Sequence, residues 1–437
     1  MRALILAAGA GGMYCGSCMH DNRLAAALRA RGHDAILLPL YTPLKTDERD
    51  VSDRHVYYGG INTYLQQHSA LFRHTPRWLD RLLDARWLLR LAGRMASNTR
   101  AETLGPMTLS VLRGAHGAQR KELDGLIDGI RHWKPDLVQL PNLLFLGTAR
   151  RLRETLNVPI ICELTGEDIF VDQLPEPFRG QVCDEIRGRA ADVDGFVALT
   201  RYYADYAARR FNLPPDRITH LPMGIPTAEF AASAETNSSP EASDQPFTIG
   251  YLARLCPEKG VDELCETYLE IRRQRSNCRL RIAGYLGAAD RPFFDAVLAK
   301  MRAAGCGPNE VEHVGEVSLA EKIAFLQSLQ VMSVPTRYAE AKGFYVLEAL
   351  AAGVPVVLPR HGSFPEFIEA TRGGVLYEPD NRAAHARAII DLIDQPDLRR
   401  SLAAAGQAAV RELYDTSRTS ESTWQYYEQF VRSPRIE

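Results

Sequence analysis

The chain has 437 residues, more than one hydrophobic core comfortably organises, and fits two domains of roughly 200 residues each. Apolar residues make up 46% and charged residues 24%, an ordinary globular balance that excludes a generally disordered chain. The net charge of -2 excludes a global attraction to nucleic acid or anionic membrane, so charge-driven binding has to come from a local patch.

Arg2 to Ala8 reads as a buried strand, Gly9 to Gly12 as a turn, Ser17 to Arg31 as a helix stopped by Gly32, and Ala35 to Leu40 as a second strand. Strand, helix and strand in this order form a βαβ unit, which requires parallel pairing and predicts a doubly wound sheet. The opening residues also fit a short signal peptide ending at Ala8-Gly9-Ala10, but the βαβ unit uses them better. Cysteines at 15, 18, 162, 183, 256, 265, 278 and 306 lack the dense spacing of a secreted disulfide framework. No apolar run reaches the about 18 residues of a membrane span. A cytoplasmic protein is the expectation. Cys15, Cys18 and His20 invite a metal reading, yet a structural zinc needs four ligands and no second Cys-x-x-Cys follows, so packing is favoured and no metal is assigned.

Between His55 and Lys121 the pattern is hard to place, and Arg77 to Met95 is its clearest helix. From Arg73 to Lys121 there are ten basic and three acidic residues. This patch suits either a weak contact with the inner membrane face, a lipid-phosphate acceptor, or a packed helix with a solvated basic side. Short apolar strands then recur at Leu137 to Leu140, Pro159 to Leu164, Gly195 to Leu199 and Ile218 to Leu221, completing a domain over 1–230. Residues 231–246 read as a linker or exposed loop, rich in small and polar residues. A second series over 247–411 places strands at Phe247 to Ala253, Arg279 to Ala283, Val311 to Val314, Val331 to Val334, Val354 to Leu358 and Gly374 to Tyr377. The fold class is therefore α/β, with two Rossmann-like doubly wound domains and ligands expected at the carboxyl ends of their strands, in a cleft between them.

Chemistry-bearing residues cluster after strands. Gly11 and Gly12 bare the backbone N–H groups that an anion could approach, but Tyr14 replaces the third glycine of a dinucleotide fingerprint and no acid ends the second strand, which disfavours a nicotinamide dehydrogenase. Arg254 and Lys259 follow the first strand of the second half, where two cations suit a diphosphate; solvated surface is the plainer alternative. Glu340 and Glu348 flank Gly343, which marks a turn into a helix. As a glycoside-hydrolase pair on one continuous helix they would stand about 12 Å apart, beyond the roughly 5 Å of a retaining pair.

In combination these stretches resemble the retaining glycosyltransferases of family four, which have the GT-B fold. The resemblance covers most of the chain and is most specific from Phe247 to Asp380: Gly250-Tyr251-Leu252-Ala253-Arg254 with Lys259-Gly260, Glu340 to Glu348 running on to Val357, Gly362 to Glu366, and Gly373-Gly374. The first half matches more loosely, through Gly11-Gly12, Arg31-Gly32-His33 and Leu221 to Ile225. The resemblance implies a nucleotide-diphosphate sugar donor and a separate acceptor, with no cofactor and no metal ion. Arg254 and Lys259 would hold the diphosphate, Glu340 the sugar hydroxyls and Glu348 the ribose. Gly343, Phe344 and Tyr345 would complete the sugar and phosphate site, Gly315 would lie near the base, and Gly11 and Gly12 would close on the donor. A last helix, about 412–437, would pack back on the first domain.

Departures from the family pattern are informative. Lys342 stands where an aromatic residue is usual and adds charge near the donor. The loops that often carry histidines read Val138 to Asn142 and Leu164 to Asp168 here, so no catalytic histidine is assigned. Glu167, Asp168 and Asn142 are the acceptor-side candidates, with helix capping as the alternative for the two acids. Rival functions are a nucleotide-sugar epimerase and a non-catalytic nucleotide-sugar-binding protein.

Overall fold

The computed structural model describes residues 1–9, 14–76, 83, 88–89, 101–232 and 245–432. Gly11 and Gly12, and the segment 77–95 apart from 83, 88 and 89, lie outside them. The chain divides into two compact units: Met1–Gly224 with Ser417–Glu437, and Ile225–Thr416.

The first unit is built on seven strands: β1 (Arg2–Ala7), β2 (Asp34–Tyr41), β3 (Tyr57–Gly59), β4 (Leu137–Leu140), β5 (Ile160–Leu164), β6 (Gly195–Ala198) and β7 (Ile218–His220). Their order is β3-β2-β1-β4-β5-β6-β7, and every neighbouring pair is parallel. Ala3 to Ala7 are wholly buried, as expected of a central strand covered on both faces by helices, which is why this strand is apolar without alternation. Two elements were hidden in the sequence. β3 is short and puts Tyr58 at a positive φ of 59°, while the helix Ala101–Leu112 contains Pro106, a residue that ordinarily signals a break.

The second unit has six strands: β8 (Phe247–Leu252), β9 (Cys278–Ala283), β10 (Val311–Gly315), β11 (Val331–Ser333), β12 (Val356–Pro359) and β13 (Gly374–Tyr377). They lie in the order β10-β9-β8-β11-β12-β13, again all parallel. Successive connections move outward from β8 on one side and from β11 on the other. This reversal leaves a crevice at the carboxyl ends of β8 and β11.

The division falls at Gly224 rather than at 230. Ile225 donates its N–H to Tyr414 O at 2.9 Å and bridges Asp415, and the Thr227 hydroxyl also bonds Asp415, so the start of the helix Thr227–Ala232 belongs to the second unit. That helix also takes up 231 and 232 of the expected linker, whose residues 233–244 lie outside the described ones.

The helix Thr416–Arg432 rejoins the first unit from Ser417 onward. His33 stacks on Trp424 at 4.2 Å, and Arg31 meets Glu421 at 2.9 Å. Gly195 admits the helix closely, since a Cβ there would stand 2.5 Å from the Tyr426 hydroxyl oxygen. Beside it, the buried Tyr427 hydroxyl donates to Gln139 Oε1. Deleting that hydroxyl strands a buried amide oxygen, whose desolvation then goes uncompensated. Tyr427→Phe is expected to cost about 1–3 kcal/mol, read as a lower urea midpoint with unchanged slope; an unchanged midpoint would show that the bond contributes nothing.

Candidate active site

The crevice of the second unit draws its residues from two loops. The loop after β8 carries Arg254, a single turn at Pro257–Lys259, and Gly260, which caps the helix Val261–Gln274. The loop after β11 runs through Thr336, Tyr338 and Glu340 to Gly343, which caps the helix Phe344–Ala351. The two loops touch through backbone. Gly260 has φ 70°, and a Cβ there would lie 1.9 Å from Pro335 O, so only glycine fits. Gly362, at φ 60°, closes a third loop over the site, where a Cβ would come within 2.4 Å of Glu340 N, and Ser363 N–H donates to Glu340 O at 2.8 Å.

Close approach of the loops brings Lys259 Nζ onto Glu340 Oε2 in a salt bridge, although the residues are 81 positions apart. The same oxygen accepts from Tyr345 at 3.0 Å and Tyr338 at 3.2 Å, and the ammonium lies over both rings, 5.2 and 4.9 Å from their centroids. Burial opposes ionisation of Glu340, but the Lys259 charge and hydrogen bond, the Tyr345 hydroxyl and the nearby Lys342 outweigh it and hold the carboxyl below its ordinary value. Both phenols are pushed far above theirs, chiefly by burial and then by the Glu340 carboxylate, so they remain donors. Arg254 is exposed at the rim; its Nε donates to Cys256 Sγ at 3.2 Å and Glu258 lies 3.9 Å from it.

Glu348 projects from the helix Phe344–Ala351 and pairs at 2.7 Å with Lys322, from the helix Leu319–Gln327 that follows β10. Both side chains are about 5% exposed. Gly315 ends β10 at φ 90°. Because the helix starts only at Phe344, Glu340 sits in the loop, and the separation expected for a continuous helix does not apply. What argues against a hydrolase is chemistry: one carboxyl of such a pair must serve as a protonated general acid, whereas each glutamate here faces a lysine ammonium, Glu340 that of Lys259 and Glu348 that of Lys322.

In the first unit, Asn142, Glu167 and Asp168 gather at the carboxyl ends of β4 and β5. Asn142 caps the turn that follows it through Leu144 N–H at 3.0 Å. Buried Glu167 accepts from the N–H groups of Leu143 (3.1 Å) and Thr165 (3.0 Å) and from the Tyr203 hydroxyl (3.0 Å), tying the two post-strand loops together. Half-buried Asp168 shares that hydroxyl at 2.8 Å, and burial raises its carboxyl more than the bond lowers it. Cys15 Sγ accepts from Cys18 N–H at 3.4 Å, while His20 lies 3.7 Å from Glu163. Among the described residues no His, Cys, Asp or Glu group is arranged to hold a metal ion, and no helix is long and apolar enough to cross a membrane. Lys322, Tyr338 and Tyr203 were not anticipated; each lies in a helix or loop whose local pattern shows only an amphipathic or polar residue.

Two doubly wound parallel-sheet domains, one with a cation–carboxylate centre at its strand-order reversal, define the GT-B class of fold. The family model described as glycosyl transferases group 1 matches residues 233–409, and that of the glycosyl transferase 4-like domain matches 20–224; the chain belongs to this glycosyltransferase family. It is 26% identical over 284 residues to a GDP-mannose-dependent monoacylated alpha-(1-6)-phosphatidylinositol monomannoside mannosyltransferase of Corynebacterium glutamicum, covering 62% of this chain and 69% of that one. A GDP-mannose-dependent alpha-(1-6)-phosphatidylinositol monomannoside mannosyltransferase of Mycolicibacterium smegmatis is 31% identical over 242 residues, 50% of this chain and 58% of the relative. Among solved structures, Anabaena HepE in complex with UDP superposes with a TM-score of 0.69 at 15% identity, covering 98% of this chain and all of the other, a likeness of fold.

The depressed Glu340 carboxyl has a stability consequence. A carboxyl that titrates lower in the folded than in the unfolded chain adds stability above the unfolded value, and that stability is lost as pH falls through the folded value. Urea midpoints of wild type and Glu340→Gln, followed by circular dichroism from about pH 7 to about pH 3, are expected to differ most at neutral pH and converge in acid. A difference independent of pH would show that the carboxylate is not stabilised by its surroundings.

Proposed function

We propose that this chain is a retaining glycosyltransferase that takes a sugar from a nucleoside-diphosphate sugar and passes it to a hydroxyl acceptor without a metal ion. The observation that carries this reading is the Lys259–Glu340 pair at the reversal of strand order, with Arg254 at the rim. As the bond from the anomeric carbon to the diphosphate loosens, negative charge builds on the leaving phosphate and positive charge on the ring. Lys259 and Arg254 stabilise the former, as fixed cations that need no reorganisation at the moment of reaction. Glu340, kept ionised, accepts hydrogen bonds from the sugar hydroxyls; Lys342, Gly343, Phe344 and Tyr345 shape its surroundings. Glu348 receives the ribose, with Gly315 nearest the base.

The acceptor oxygen then bonds the anomeric carbon on the face the diphosphate leaves, and its proton passes to the departing phosphate oxygen. No covalent sugar–protein intermediate is needed. Metal independence is supported by the cations, and by the fate of Asp192-Val193-Asp194: Asp192 pairs with Arg150 at 3.0 Å and Asp194 with Arg153 at 2.9 Å, so both acids serve the fold. The relatives' names make GDP-mannose the first donor to test and an inositol-bearing lipid the first acceptor. Asp168 and the loops that Glu167 and Asn142 secure are the acceptor-side residues of this reading.

With donor and acceptor supplied, wild type is expected to keep its activity in excess EDTA. Lys259→Met should lose about a hundredfold, the worth of one transition-state cation of about 3 kcal/mol, with its circular dichroism preserved. Loss of wild-type transfer in EDTA, restored by magnesium or manganese, would overturn the metal-free mechanism. Glu340→Gln should fall at least about tenfold through weaker bonds to the sugar hydroxyls; near-normal transfer would remove Glu340 from the site. A product that still carries its nucleotide would mark an epimerase instead.

A further inference from the structure

We infer that Lys322 is a positioning residue for the donor's ribose, acting through Glu348; the inference rests on the role given to Glu348 above. Four observations support it. Lys322 Nζ donates to Glu348 Oε1 at 2.7 Å, and with 6% and 5% exposure neither side chain can exchange this partner for bulk water. The helix that carries Lys322 is fixed at its start by a reciprocal cap, with Ser318 N–H and hydroxyl both bonded to Glu321 at 2.8 and 2.7 Å. Its neighbours Ile323, Phe325 and Leu326 are buried, so the ammonium is delivered from a rigid support. Glu348 is equally constrained, between Leu347 and Ala349, both wholly buried.

A buried ion pair adds little net stability, because desolvation of both ions offsets their attraction, and apolar residues of similar volume often do as well. The pair therefore suggests a task beyond stability. It would hold the Glu348 carboxylate in one orientation. Such a carboxylate accepts hydrogen bonds from a vicinal diol with little ordering left to be done on binding. Lys322 never needs to touch the nucleotide. Its contribution would be read as discrimination between a ribose and a sugar without hydroxyls.

The test measures binding of GDP and UDP, and of their 2′,3′-dideoxy counterparts, by calorimetry to the full chain. Wild type is expected to bind the better ribonucleotide about tenfold more tightly than its dideoxy form, the worth of hydrogen bonds to a charged acceptor. In Lys322→Met that ratio should collapse towards one, while affinity for the dideoxy form stays within about twofold. A purely structural lysine would weaken both ligands alike and leave the ratio intact, which would overturn the inference. Lys322→Arg, which keeps the cation and guards against loss of folding in the Met variant, should restore at least part of the ratio; an Arg variant that folds and discriminates no better than Met would also overturn it. If wild type itself shows no preference for the ribonucleotide, the role of Glu348 fails first, and Lys322 with it.

Discussion

Reversal of strand order between β8 and β11 is the constraint on which the rest of the second unit depends. Parallel strands must be joined by crossovers, and when successive crossovers leave in opposite directions the two central strands end in loops with nothing between them. Here those loops touch backbone to backbone at Gly260 and Pro335. That contact fixes how far Lys259 can stand from Glu340, and Gly362 closes over Glu340 from a third side. Remove the reversal and the cation and carboxylate have no reason to meet.

Electrostatics follow from that geometry. A carboxylate taken out of water is costly unless cations and hydrogen bonds replace its hydration. Glu340 receives a lysine and two phenols, and Glu348 receives Lys322. The two acids are close in sequence but separate in character, since one lies in a loop and the other on a helix that begins after the left-handed turn at Gly343. Each has its own lysine, drawn from a different element.

Much of this was legible in the sequence, for physical reasons. Central strands such as Ala3 to Ala7 are buried on both faces and read as apolar runs, and the glycines at 260, 343 and 362 stand where a left-handed turn or a close approach demands them. Arg254, Lys259, Glu340 and Glu348 were placed by their post-strand positions and by family likeness. What stayed hidden depends on distance along the chain. Lys322 looks like any lysine on an amphipathic helix, and only the fold shows Glu348 opposite it. Likewise Glu167 reads as an acceptor-side residue or a helix cap, but its bonds to Leu143, Thr165 and Tyr203 come from partners the local pattern does not reveal. β3 escaped because three residues carry too little pattern, and the helix Ala101–Leu112 because Pro106 argues locally against it.

The helix Thr416–Arg432 gives the first unit a piece of its wall from far along the chain: Tyr427 bonds Gln139, and Trp424 covers His33. On the ribosome, residues 1–224 emerge long before residues 417–432 do. While the intervening unit is being translated, the nascent first unit therefore exposes the surface later covered by Tyr427 and Trp424. Its final consolidation has to wait for release of the helix from the exit tunnel. In such a protein the order of synthesis and the order of completion are reversed, and the half made first is the half finished last.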